Sequence, residues 1–348
     1  MREAQAHGWR QNSSWLTTLP RTALGFLPTP LTPLDRLSAE LGGPRIWLKR
    51  DDCTGLAIGG NKTRKLEYLL ADAQASGADR IMTFGAVQSN HARQTAAACA
   101  ALGLPCHLIL TRRVAWQHTG YETAGNVLLD HLFGAAVEIV APEAAAATVG
   151  VRLAGFRGAG ERVYVIPTGG SNPVGALGYA RCALELLEQS EMLGLALTDV
   201  IHASSSAGTQ AGLVAGFAAL CPAPAVRPQV HGMNVYTRDP EPLAEAVLTM
   251  ASALLATHRP GTTVDVDAVR LDNRHLGADY GLPTPATVAG IRQLAATEGV
   301  LMDPVYSGKA FGGLLQCIRA GEYADRSDLV FIHTGGTPVL SVYERAFD

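Results

Sequence analysis

Apolar positions along this chain fall into two alternating rhythms. Short apolar runs at Ile81–Phe84, Cys106–Leu110, Val137–Val140, Val163–Ile166, Asp199–Ala203, Val230–Val235 and Leu329–His333 read as strands. The stretches between them carry apolar residues at helical spacing. Helices are predicted over 89–102, 122–133, an Ala-rich piece after Val140, 173–189, 209–220, 240–257, 285–298 and 310–319. Earlier in the chain, Asp35 to Leu41 predicts a short helix and Arg45–Lys49 a strand. Leu66, Leu69, Leu70 and Ala73 predict a helix that begins near Lys62. Strands alternating with helices predict βαβ units and a parallel sheet. Residues 1–27 read as a polar arm. The run Pro28-Thr-Pro-Leu-Thr-Pro33 reads as an extended connector, because proline suits neither a helix interior nor a central strand.

Composition narrows the class. The chain has 348 residues and 47% hydrophobic content, enough for one large domain or two smaller ones. A net charge of −3 argues against nucleic acid or an anionic membrane as main partner. No apolar run approaches the roughly 20 residues of a membrane span, and the polar first fifteen residues hold no signal-peptide core. The six cysteines lack paired spacing and read as reduced thiols of a cytoplasmic protein. The ten histidines show no ligand spacing, so no metal site is expected.

Ligands of open α/β sheets bind where strands enter helices, and those turns carry the chemistry. In Gly59-Gly60-Asn61-Lys62 the glycines allow a sharp turn. Lys62 then sits at a helix N-terminus, where the helix dipole disfavours its charge. A neutral amine can attack a carbonyl. Gln88-Ser89-Asn90-His91 opens the next helix. Ser89 serves as cap, and the N-terminus forms a carboxylate site; capping alone leaves Gln88, Asn90 and His91 unexplained. Ser204 to Thr209 opens another helix with small and hydroxyl residues, a phosphate cradle without the P-loop lysine. Tyr280, Tyr306, Ser307 and Thr334 add aromatics and hydroxyls. A reactive lysine, a phosphate cradle, a carboxylate site and hydroxyls for a ring nitrogen are the parts that hold pyridoxal 5'-phosphate and an amino acid.

The ordered motifs Gly-Gly-Asn-Lys-x-Arg-Lys-Leu-Glu, Gln-Ser-Asn-His-x-Arg-Gln, the serine cradle, Asp-Pro-Val-Tyr-x-Gly-Lys and His-Thr-Gly-Gly span Pro28 to Thr337. They resemble the pyridoxal-phosphate enzymes that group 1-aminocyclopropane-1-carboxylate deaminase, D-cysteine desulfhydrase and L-cysteate sulfo-lyase. The resemblance implies an α/β, tryptophan-synthase-β-like fold, the fold-type II of these enzymes, with two open parallel-sheet domains and the cofactor in the cleft. It implies a large domain of 1–64 and 173–348, a small inserted domain of 65–172, and a homodimer. By the same resemblance Lys62 carries the cofactor covalently and Asn90 meets its phenolic oxygen. Ser205, Ser206, Ala207, Gly208 and Thr209 hold the phosphate. Ser89, Asn90 and His91 receive the substrate carboxylate, with Gln88 nearby. Tyr306 stacks on the ring and Tyr280 lines the pocket, and Ser307 or Thr334 meets the ring nitrogen.

One departure bears on the reaction. The cyclopropane deaminases carry Glu after the tyrosine, where this chain has Ser307. A hydroxyl leaves the ring nitrogen neutral and weakens the electron sink. That suits β-elimination with a good leaving group better than opening a quaternary ring. Cys53, Thr63 and Trp116 resemble the deaminase pattern instead. The expectation is a carbon–sulfur lyase acting on L-cysteate or D-cysteine. The cyclopropane deaminase, a racemase or dehydratase, and a non-catalytic cofactor-binding module are the alternatives. Arg112 and Arg113 follow a strand whose end faces the cleft and are candidates for a sulfonate, although a solvated loop pair is the preferred reading.

Overall fold

The computed structural model describes residues 8–348. In chain order the strands are β1 (Leu31–Pro33), β2 (Arg45–Lys49), β3 (Arg80–Ala86), β4 (Cys106–Thr111), β5 (Ala136–Val140), β6 (Val163–Ile166), β7 (Asp199–Ser204), β8 (Gln229–Asn234), β9 (Arg270–Asp272) and β10 (Asp328–Ile332). The helices are α1 (Gly8–Gln11), α2 (Ser14–Thr18), α3 (Asp35–Leu41), α4 (Lys62–Ala75), α5 (Asn90–Leu102), α6 (Asn126–Leu132), α7 (Ala145–Gly158), α8 (Pro173–Leu193), α9 (Gly208–Leu220), α10 (Glu241–His258), α11 (Pro285–Glu298) and α12 (Ser307–Arg319).

The strands form two sheets. One has the order β1-β2-β10-β7-β8-β9, the other β5-β4-β3-β6. Every pairing is parallel except that of β1 with β2. Pro33 lies in β1, an edge strand, where its missing N–H disrupts no ladder. The Pro-rich connector thus ends as a short antiparallel edge. Parallel strands need crossovers, and the helices supply them over the sheet faces. Every residue of α9 is buried, matching a helix apolar on all sides at the centre of its layer.

The amino-terminal segment differs from the polar arm expected. Residues 1–7 lie outside the described residues, but 8–18 form α1 and α2. Trp9 and Leu16 are buried in the same core cluster as α8 and α9. Each such side chain contributes about 1.5–3 kcal/mol of transfer free energy, so two well-spaced apolar residues suffice to dock a polar segment. Strand β9 was not expected: three residues show no alternation. The helix expected near 122–133 is shorter, starting at Asn126, because Gln88 just ahead of α5 holds the carbonyls of Tyr121 and Ala124 in a turn.

Candidate active site

The carboxyl ends of β3, β4, β7 and β10 face a common cavity of about 400 Å³. At its base the chain passes from β2 through 51–60 into α4. Gly59 and Gly60 have φ of +73° and +134°. A Cβ at Gly59 would lie 1.8 Å from the Asp52 carbonyl oxygen, so only glycine fits. The Arg93 guanidinium secures this loop by donating to the carbonyls of Ala57 and Gly59.

Lys62 opens α4 and lines the cavity. Burial lowers its ammonium to about 8. The expected agent was the helix N-terminus; the structure assigns the shift to lost water, with no carboxylate opposing it. Arg64, about 200° around the helix, turns instead into the core. Its guanidinium donates to both Asp51 oxygens (2.8 and 2.8 Å) and both Glu185 oxygens (2.9 and 2.9 Å). Lys49 Nζ adds a bond of 3.0 Å to Glu185, and the Tyr179 hydroxyl one of 2.5 Å to Asp51. This buried network ties the end of β2, α4 and α8 together behind the lysine.

The Ser/Gly turn after β7 lies at the opening of α9. The first N–H groups of a helix lack intrahelical partners, and here they face the cavity wall formed by Ser205, Ser206, Ala207 and Thr209. Gly208 sits just behind. A Cβ there would meet Ser171 Oγ at 2.7 Å and Lys65 Nζ at 2.9 Å. Lys65 donates to the Gly169 carbonyl (3.1 Å) and Ser171 Oγ (3.3 Å). Ser171 in turn reaches Ser206 at 2.9 Å. Burial, then repulsion from Lys62, pushes the Lys65 ammonium well down. Sequence reading missed Lys65 and Ser171, although the i, i+3 spacing from Lys62 places Lys65 on the same helix face.

At the start of α5, Ser89 Oγ accepts from the Ala92 N–H (3.1 Å), the predicted cap. Asn90 lines the cavity while its Oδ1 accepts from Asn126 (2.9 Å). His91 behaves differently from expectation. Thr83 Oγ1 donates its proton to the Ile166 carbonyl (2.8 Å), so it must accept from His91 Nε2 (2.8 Å). Burial and then the two lysines lower the imidazole pKa well below its ordinary value. The ring is therefore neutral with a bare Nδ1, which cannot donate to a carboxylate. The donors of this turn are the backbone N–H groups and the Ser89 and Asn90 side chains. Gln88 is not on the cavity wall. It donates to the carbonyls of Tyr121 (2.6 Å) and Ala124 (3.0 Å) and accepts from the Asn126 N–H (2.9 Å), so it braces the 121–126 loop.

Tyr280 and Tyr306 line the cavity with their hydroxyls bonded to one another. Burial raises both phenol pKa values, keeping them protonated at neutral pH. Thr334 also lines the cavity. Ser307 lies behind it, fully buried, 2.9 Å from the Thr334 hydroxyl and 3.0 Å from the Gly335 carbonyl. Of the two hydroxyls proposed for a ring nitrogen, Thr334 is the one exposed to the cavity. Cys53 lies outside the wall, Trp116 stacks on Tyr343, and His118 pairs with Glu344.

The arrangement fits pyridoxal phosphate. Two buried lysine amines and a helix N-terminus converge, and among the described residues no aspartate or glutamate lines the cavity. His91 Nδ1 is buried without a partner. An anion held at the α9 cradle would supply a counter-charge that the cavity wall lacks.

Comparison with known proteins agrees. The family model described as pyridoxal-phosphate dependent enzyme matches residues 22–335. A D-cysteine desulfhydrase of Serratia proteamaculans is 43% identical, the match covering 94% of this chain and 97% of that one. A 1-aminocyclopropane-1-carboxylate deaminase of Burkholderia vietnamiensis is 42% identical over 95% and 98%. A crystal structure of an ACC deaminase homologue superposes with a TM-score of 0.85 at 34% identity, covering 97% of this chain and 98% of that one.

Proposed function

The chain belongs to the family of pyridoxal-phosphate dependent enzymes and has their tryptophan-synthase-β-like fold, and from that premise we infer that it is a carbon–sulfur lyase that eliminates the β-substituent of L-cysteate or D-cysteine. The observation that carries this reading is that, among the described residues, no carboxylate lies on the cavity wall. Contact with the ring nitrogen falls to the Thr334 hydroxyl, backed by Ser307. When bound, pyridoxal phosphate supplies an aldehyde for amines and a conjugated ring that accepts the electrons of a broken Cα–H bond. Without a carboxylate at its nitrogen that sink is modest, which suits loss of an acidified α-proton and a good leaving group.

The residues divide the work as follows. Lys62 Nζ would hold the cofactor's aldehyde and, as a free amine, would take the proton from Cα. The α9 cradle with Lys65 would hold the phosphate. The first N–H groups of α5, with Ser89 and Asn90, orient the substrate carboxylate. Tyr280 and Tyr306, which line the cavity, would pack beside the reacting atoms and exclude water. The C–S bond breaks with its electrons on sulfur, and the remaining aminoacrylate takes up water to give pyruvate and ammonia.

We further propose a large domain of 1–64 and 173–348 with 65–172 inserted, and a cytoplasmic homodimer acting in sulfur amino-acid degradation. The six cysteines are unpaired in the structure, in keeping with a reducing compartment. Light scattering on the purified protein tests the dimer, and a monomeric mass overturns it. The function is tested by offering L-cysteate, D-cysteine and 1-aminocyclopropane-1-carboxylate side by side. Pyruvate from a sulfur substrate supports the reading. Product from the cyclopropane substrate alone, as 2-oxobutanoate, overturns it.

A further inference from the structure

We propose that Arg113 is a specificity-determining residue that receives an anionic group on the β-carbon of the substrate, so that the enzyme selects amino acids with an acidic side chain and eliminates the sulfonate of L-cysteate. This inference rests on the lyase reading and names its substrate class.

The two arginines after β4 part company. Arg112 turns outward, donating to Glu122 at 2.6 and 2.9 Å and to the Ile139 carbonyl at 3.3 Å. Arg113, next in sequence, lines the cavity. Its Cζ lies 4.5 Å from the centre of the Tyr236 ring and 5.5 Å from that of Tyr280, and it donates to the Tyr236 hydroxyl. Both arginines are exposed, as the solvated-loop reading expects, but only Arg113 also borders the cavity.

Among the described residues no carboxylate pairs with Arg113; one of its five N–H donors is used on Tyr236, and the others face solvent at the cavity edge. The aromatic rings hold the guanidinium plane, so little rotamer freedom is lost when an anion docks. A planar fork of free donors at a cavity edge matches the oxygens of a sulfonate or carboxylate.

Charge accounting points the same way. The cofactor phosphate has the α9 cradle and Lys65. The α-carboxylate has the start of α5. Arg113 is left without an anion in a wall that, among the described residues, contains no acidic one. A neutral thiol gains little from a guanidinium on binding, whereas a sulfonate, anionic before and after the bond breaks, gains at both stages.

The cation also aids the reaction. The Cα proton passes to Lys62. The C–S electron pair leaves with sulfur, so a singly charged sulfonate becomes doubly charged sulfite. The two carbons keep a double bond, and water converts the aminoacrylate to pyruvate and ammonia without any redox partner. Negative charge on the sulfur oxygens grows along this path, so Arg113 binds the transition state more strongly than the ground state.

The test compares holoenzyme with Arg113→Met and Arg113→Lys. The readouts are kcat/KM for L-cysteate and for D-cysteine, and calorimetric affinity for L-aspartate, whose carboxylate cannot leave. In Arg113→Met the L-cysteate to D-cysteine ratio of kcat/KM should fall roughly ten- to a hundredfold, the scale of one charge-assisted contact. Aspartate binding should weaken by a similar factor, with partial recovery of both in Arg113→Lys. Equal loss on both sulfur substrates, or aspartate binding that is undetectable in wild type or unchanged in the variant, overturns the proposal. If wild type turns over neither sulfur amino acid, the lyase reading falls. The aspartate titration then judges Arg113 alone: weakening in Arg113→Met supports it, and no change refutes it.

Discussion

Replacing Arg64 with methionine removes the cation at the centre of the buried network behind Lys62. Two carboxylates, Asp51 and Glu185, lose their forked partner, and only Glu185 keeps a lysine, Lys49 at 3.0 Å. Removing one partner of a buried pair costs about 3–5 kcal/mol. A second route gives a similar figure. Burial pushes the Glu185 carboxyl up, but Arg64 and then Lys49 more than cancel this and hold it at about 2, against an ordinary 4.5. A depression of that size contributes about 3 kcal/mol. Because the folded value lies below the unfolded one, this stability is fully present above pH 4.5 and is lost as pH falls through about 2. In the variant the Glu185 value rises and the gap between folded and unfolded states shrinks. Urea unfolding of wild type and Arg64→Met should therefore differ by about 3–5 kcal/mol at neutral pH. The difference should narrow as pH is lowered below 4.5. A loss under about 1 kcal/mol, or a difference independent of pH, would refute the claim that this network locks the lysine turn.

Two further outcomes follow from the same geometry. Gly208→Ala places a methyl group 2.7 Å from Ser171 Oγ and 2.9 Å from Lys65 Nζ, so pyridoxal phosphate affinity, read by fluorescence titration of apoenzyme, should weaken about tenfold or more. Apoenzyme should capture a free aldehyde at a rate that rises with pH and levels off above about 8, where Lys62 becomes neutral; a rate still climbing tenfold per unit up to pH 10 would assign the amine an ordinary pKa.

Much of the fold was legible because its signals are local. The glycine pair followed by Leu66, Leu69 and Leu70 marks the start of α4, which begins at Lys62 as predicted. Asp35–Leu41 and Val163–Ile166 match the expected bounds. What escaped depends on contacts distant in sequence. Trp9 and Leu16 form no periodic face, yet the α8–α9 layer buries them. Gln88 shares a motif with Ser89 and Asn90, but a turn sends its amide to the 121–126 loop. The tautomer of His91 is decided by Thr83 and Ile166, both remote from it in the motif. Lys62 was expected to have its ammonium pKa lowered by a helix dipole, a local effect; burial at a cavity made by four strands is what lowers it, to about 8. Arg112 and Arg113 are equivalent as sequence and both exposed, and only the folded chain pairs one with Glu122 and sets the other over Tyr236 at the cavity edge.

The central claim is that one amine, that of Lys62, carries the cofactor. Borohydride reduction of the pyridoxal-phosphate-loaded protein, followed by proteolysis and mass spectrometry, reads this directly. The account predicts a single phosphopyridoxyl group on Lys62, absent in Lys62→Ala. A label on Lys65 or Lys309, or no label on protein that has been exposed to the cofactor, would contradict it.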